Sequence, residues 1–91
     1  MNKRELEQAG KEYVGDWLCW NRKELEALPT VEEKKQYLHD VGHFSSCAMD
    51  LAAANGDFPQ GWNVDKAADI IYTGMGKAVD KYLKSQRGGA K

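Results

Sequence analysis

Three potential metal ligands recur at four-residue spacing near the middle of the chain, namely His39, His43 and Cys47. On one continuous helix this spacing places the three side chains on the same face. Two imidazoles one helical turn apart can bind zinc, and a thiolate would strengthen such a site. However, eight residues of helix span about 12 Å, so one ion cannot contact all three ligands. We therefore interpret both histidines as solvent-facing residues and keep a metal site at His39, His43 and Cys47 as an alternative.

The same region contains the one nucleophile and base that the sequence places within reach of each other, Cys47 and His43. No serine lies in a nucleophile-elbow motif. Gly74 and Gly76 lie in an amphipathic stretch rather than after a strand, so they do not form a phosphate-binding loop. A chain of short helices also offers little concave surface that excludes water. The sequence therefore predicts a protein that is not an enzyme and that carries no cofactor.

A basic edge lies near the C-terminus, where lysines follow one another at steps of four and three residues. The residues of this edge are Lys77, Lys81, Lys84 and Arg87. Such an edge can contact nucleic-acid phosphates, but basic residues there also complement the helix dipole. The whole chain has 13 Lys and Arg against 14 Asp and Glu, a net charge of −1 that selects no partner. Nucleic-acid binding through this edge is therefore an alternative function.

Aromatic residues give the strongest indication of a partner. Three tryptophans in 91 residues exceed what a small helical core can easily enclose. The apolar arc of the first helical segment covers about half of the helix circumference, and broad apolar patches mark interaction sites. We predict that part of this arc contacts another protein or a second copy of the chain. Phe58 and Trp62, in the loop before the third predicted helix, also suit a lid over the core. The predicted partner-binding residues are Val14, Trp17, Leu18, Trp20, Leu25, Phe58 and Trp62.

The elements that carry these residues follow from the spacing of apolar side chains. Pro29 and Pro59 divide the chain into three segments, each with apolar residues at helical spacing, and no alternating β pattern occurs. The sequence therefore predicts an all-α fold, a compact bundle of three principal helices with a short mobile C-terminal tail. The predicted helices span about 3–28, 30–55 and 63–86.

Local signals refine the predicted helices. Thr30 with Glu33 forms a capping box that begins the second helix. A weaker capping pair at Asn21 indicates that the first helix either breaks there and restarts or runs on to residue 28. Gly74 and Gly76 together cost the third helix about 1–2 kcal/mol relative to alanine. A close crossing with another helix would offset this cost.

Length and composition complete the prediction. The 91 residues, 42% of them hydrophobic, form one domain that spans 1–91. The longest apolar run, from Trp17 to Trp20, is far shorter than the roughly 20 residues of a membrane span. Two isolated cysteines and a charged N-terminus favour a cytoplasmic protein. By exclusion, we predict a non-enzymatic interaction module that occupies a partner's surface, as an inhibitor, adaptor or accessory subunit. A bacterial or phage protein that blocks a host machine is the most specific form of this hypothesis.

Overall fold

The computed structural model describes residues 2–55 and 61–89, and within these ranges it contains five helices and no strand. The all-α fold class is therefore confirmed. The molecule is an elongated bundle that measures 47 × 21 × 17 Å. The helices are α1 (Lys3–Trp20), α2 (Arg22–Glu26), α3 (Val31–Gly42), α4 (Phe44–Asn55) and α5 (Val64–Gly89).

The first predicted helix is two helices in the structure. At the start of α1, the Asn2 side chain accepts a hydrogen bond from the Glu5 backbone N–H, and the Glu5 carboxylate accepts one from the Asn2 N–H. At its end, the Asn21 side-chain amide donates to the Trp17 carbonyl over 2.9 Å. The chain then restarts as α2, so the first of the two alternatives predicted at Asn21 is the one observed.

The second predicted helix is also divided. Its predicted start is confirmed, because the Thr30 hydroxyl accepts a hydrogen bond from the Glu33 backbone N–H over 3.1 Å. The prediction of one continuous helix over 30–55 is wrong, since His43 separates α3 from α4 in a left-handed conformation with φ of 48°. His39, His43 and Cys47 therefore do not form a row on one helix.

Packing of Phe44 accompanies this break. The Phe44 ring meets the rings of Trp17 and Tyr13 edge-on, with centroid separations of 5.3 and 6.3 Å. The same ring covers Gly42, where an added Cβ would lie 2.9 Å from it. The turn at His43 thus directs an aromatic side chain onto both α1 and the end of α3.

The third predicted helix corresponds to α5. Its predicted cap is confirmed, because the Asn63 side chain accepts a hydrogen bond from the Lys66 backbone N–H over 2.8 Å. The helix continues to Gly89 rather than ending near residue 86, and residues 90 and 91 of the predicted tail lie outside the described residues. Among the helices described, none is long and apolar enough to cross a membrane.

The most extensive contact in the bundle joins α1 and α5. At Gly10 an added Cβ would overlap the Ile71 carbonyl, and at Gly74 it would overlap the Glu7 carbonyl. The predicted close crossing is therefore confirmed at Gly74, with Gly10 as its counterpart. Gly76 takes no part, because its Cβ would meet open space.

The core forms two clusters, and α1 contributes to both. The first is built from Leu6, Val14, Ala48, Ala52, Ala67, Ala68, Ile71 and Met75. The second is built from Trp17, Leu25, Leu38 and Leu83. Because α1 packs against α5 and, through Trp17, against Tyr37 and Phe44, most of its apolar arc is covered within the chain.

Candidate functional site

A groove of about 640 Å³ lies between α1 and α5. The residues that line it from α1 are Gln8, Lys11, Gly15 and Leu18, and those from α5 are Lys77, Ala78, Lys81, Tyr82 and Ser85. A neighbouring cavity is lined by residues 3–7 of α1 and 69–77 of α5, whereas the groove is lined by residues 8–18 and 77–85, so the two helices run parallel. On each helix the lining residues recur at steps of three and four, so they form one stripe along the surface.

Small residues create the groove. Gly15 is exposed, and no heavy atom lies within 4 Å of the position that its Cβ would take. Ala78, which lines the groove from α5, adds only a methyl group. The half-buried side chains of Leu18 and Tyr82 complete an apolar floor, whereas the lining lysines are exposed and form the rim. The result is a concave apolar surface bordered by positive charge.

The rim carries lysines and no carboxylate. Lys77 donates a hydrogen bond to the Glu7 carboxylate, which lies outside the groove, and this bond is the main reason that the pKa of Glu7 is lowered. Lys11 and Lys81 form no ion pair with any residue that the structure describes. Lys77 therefore already contacts a carboxylate, whereas Lys11 and Lys81 contact none in the described part of the chain, although the charge of Glu7 also acts on Lys11.

The predicted partner-binding residues of α1 and α2 have different surroundings. Val14, Trp17 and Leu25 lie in the core, with at most 8% of their surface exposed, so a partner cannot reach them in the folded chain. Leu18 is half-buried and lines the groove. Trp20 is 72% exposed at the end of α1. Of these five residues, only Leu18 and Trp20 present surface to a partner.

Of Phe58 and Trp62, which were predicted to form either a lid over the core or a partner contact, the structure describes only Trp62. Trp62 is half-buried, packs against the first core cluster and lies beneath the Lys66 ammonium, which is 4.6 Å from its ring centroid. This position suits a covering role more than an exposed contact. Phe58 lies outside the described residues.

The residues of the predicted basic edge are divided between the groove and open solvent. Lys77 and Lys81 line the groove, whereas Lys84 and Arg87 are exposed farther along α5 and do not line it. The edge therefore extends the positive charge of the rim toward the end of α5.

The residues of the alternative metal site do not form one cluster. His39 and His43 are exposed and line a shallow cavity of about 320 Å³ together with Tyr72. Cys47 is half-buried instead and accepts a hydrogen bond from the Tyr13 hydroxyl over 3.0 Å. Within residues 2–55 and 61–89, no group of three or more His, Cys, Asp or Glu could hold a metal ion.

Comparison with known proteins identifies no relative: no protein-family model, no curated protein and no solved structure matches the chain. The groove is therefore the basis for assigning a function.

Sequence reasoning missed Lys11, Gly15, Ala78 and Tyr82 as members of this site. A glycine at an exposed position in mid-helix was one available signal, because it weakens the helix without a packing reward. The packing of α1 against α5 could not be predicted from the sequence, because the apolar arc of a helix does not reveal which helix lies next to it.

Proposed function

We propose that this protein is a non-enzymatic interaction module that occupies another protein's surface through the groove between α1 and α5. The observation that carries the proposal is the apolar floor of Leu18, Ala78 and Tyr82 in a concave, positively bordered site. Apolar grooves between helices are a common docking surface for a helix of a partner protein. An inhibitor, adaptor or accessory subunit would act in this way, and a bacterial or phage protein that blocks a host machine is the most specific form of the proposal.

A cytoplasmic location belongs to this proposal. Cys19 is exposed and Cys47 is half-buried, and both are free thiols. Free thiols of this kind persist in a reducing compartment.

A protein partner is favoured over nucleic acid by the floor of the groove. Lys77 and Lys81 could contact phosphates, but Lys77 already binds Glu7. A phosphate backbone would leave the apolar surface of Leu18 and Tyr82 without a contact. Nucleic-acid binding is therefore the alternative function, which the experiments distinguish from binding of a protein partner.

Capture of partners from a native cell extract tests the proposal when it is made with a matched pair of variants. Gly15→Leu fills the groove, and Gly76→Leu makes the same change at an exposed helical glycine that does not line it. Neither added side chain meets an obstacle at its Cβ, and leucine favours a helix more than glycine does. Both variants are therefore expected to fold.

The expected result is a protein captured by the wild type and by Gly76→Leu but lost with Gly15→Leu. Mass spectrometry identifies the captured protein. Capture that is unaffected by Gly15→Leu would overturn the groove as the contact surface. Recovery of nucleic acid alone, released by nuclease, would support the alternative function instead.

A further inference from the structure

Resting on the proposed function, we infer that the occupant of the groove is an acidic amphipathic helix of the partner, packed as an additional helix alongside α1 and α5. The charge of the rim, the small residues of the floor and the length of the groove lead to this class of partner.

The charge of the rim selects an acidic occupant. Lys11, Lys77 and Lys81 border the groove, and none of its lining residues is acidic. Lys11 and Lys81 have no ion pair among the described residues, although the charge of Glu7 acts on Lys11, so carboxylates of a partner would form ion pairs that neither lysine has within the described chain. Complementary charge steers association and disfavours partners of the same sign.

The dimensions of the groove suit a helix. From Gln8 to Leu18 the α1 wall spans about 15 Å, which corresponds to roughly three helical turns. Gly15 and Ala78 leave the middle of the floor open, so a partner helix can approach there with small apolar residues. Leu18 and Tyr82 then supply larger apolar contacts at one end. A helix with a narrow apolar seam and flanking carboxylates matches all of these features.

A second copy of the chain is a poorer occupant of the same groove. In a symmetric dimer the same patch meets itself, so the lysine rims would face each other. Like charges in such a position oppose association. The groove therefore favours a partner with a different, acidic surface.

Two synthetic peptides of about three to four turns test the inference. Both peptides have the same narrow apolar helix face of alanine and leucine. This face is flanked by glutamates in one peptide and by lysines in the other. Binding is measured by fluorescence anisotropy of labelled peptide, with a short labelled DNA duplex as a third probe. We expect the acidic peptide to bind at least about tenfold more tightly than the basic one, and its affinity to fall as salt screens the rim.

Charge exchange makes the test specific. The double variant Lys11→Glu with Lys81→Glu is expected to reverse the preference, so that the basic peptide binds more tightly than the acidic one. Gly15→Leu is expected to abolish binding of the acidic peptide, whereas Gly76→Leu leaves it unchanged. Circular dichroism and thermal melting confirm that each variant is folded.

Several outcomes would overturn the inference: no binding or equal binding of the two peptides, tighter binding of the DNA duplex, or a groove-dependent dimer in analytical ultracentrifugation. If one of these occurs while capture from extract still depends on Gly15, the inference fails and the proposed function stands. If capture from extract does not depend on Gly15, the proposed function itself fails.

Discussion

Lys34 holds the end of α2 in place from inside the bundle. It is only 7% exposed, and its ammonium donates hydrogen bonds of 2.6 and 2.7 Å to the carbonyls of Leu25 and Leu28. These carbonyls lie at and just beyond the end of α2, where the Leu25 carbonyl also accepts the Leu28 backbone N–H, so the lysine adds two charged donors at this helix end. A buried cation thereby fixes the chain between α2 and α3.

Replacement of Lys34 by methionine is predicted to destabilise the fold. Lys34→Met keeps an apolar stem but removes both charge-assisted hydrogen bonds, so we expect a loss of about 1–3 kcal/mol in the free energy of unfolding. Urea denaturation measures this loss, with exposed Lys35→Met as the control. Unchanged stability in Lys34→Met would show that dehydration of the ammonium cancels its hydrogen bonds.

The raised pKa of Tyr13 predicts that the folded state loses stability at alkaline pH. Its hydrogen bond to Cys47, followed by burial and the nearby charges of Cys47 and Asp50, raises its pKa to about 12. The folded state therefore retains a proton that the unfolded chain releases near pH 10. The stabilising contribution is complete below about pH 10 and is lost as the pH rises through about 12. Burial also raises the pKa of Tyr82, which acts in the same direction.

The variant Tyr13→Phe is expected to lose stability less steeply than the wild type over this pH range. Unfolding free energies measured from about pH 9 to about pH 12 test this expectation, with exposed Tyr72→Phe as the control. An equally steep decline in Tyr13→Phe would contradict the assignment of this pH dependence to Tyr13.

For individual residues, the sequence predicted the apolar arcs of helices better than the solvent exposure of the side chains on them. Trp17 and Trp20 were both predicted to contact a partner, yet Trp17 is 8% exposed and Trp20 is 72% exposed. The difference arises because Tyr37 and Phe44 cover Trp17, while Trp20 ends the helix beyond them. Coverage of this kind depends on neighbouring helices, which the periodicity of one helix does not reveal.

At the element scale, Gly10 and Gly74 allow α1 and α5 to approach each other more closely than side chains would permit. Each glycine faces backbone of the other helix, so neither neighbour can give way easily. Gly15 and Gly76 lie on the same two helices but face open space. Of these four glycines, packing of α1 against α5 requires Gly10 and Gly74 but not Gly15 and Gly76.

Four alanine substitutions are predicted to separate these roles. Gly10→Ala and Gly74→Ala are expected to lower the unfolding free energy by about 1–3 kcal/mol or more, because the methyl group overlaps backbone atoms. Gly15→Ala and Gly76→Ala are expected to raise it by about 0.5–1 kcal/mol, since alanine favours a helix. Thermal or urea denaturation measures all four variants. Equal effects at all four positions would contradict the close crossing.

Helix starts were more predictable than helix breaks. The side chains at Thr30 and Asn63 cap helices as predicted, because capping is a local property of a few residues. The break at His43 directly follows Gly42, but a single glycine inside a helical pattern does not by itself predict the end of a helix. It occurs with the packing of Phe44 against α1, a contact between residues far apart in the chain. Local signals therefore predicted the helical class and several boundaries, but not the division of 30–55 into two helices.

At the scale of the whole molecule, the bundle is long and narrow, and α1 and α5 lie side by side over much of it. The α3 and α4 helices contact α5, and Trp17 of α1 packs on Tyr37 and Phe44. The groove lies where α1 and α5 meet solvent instead. The length that the two parallel helices share is thus what makes an extended groove available in a chain of 91 residues.

Mapping of amide and indole NMR signals during titration with the acidic peptide is the decisive test of the groove between α1 and α5 as the docking site, because it reports where the occupant binds. We predict that the amides of Gly15, Ala78 and Ser85 shift, while the Gly76 amide and the indole signals of Trp20 and Trp62 stay in place. Shifts at Trp20 and Trp62 with an unchanged Gly15 amide would contradict the groove as the docking site.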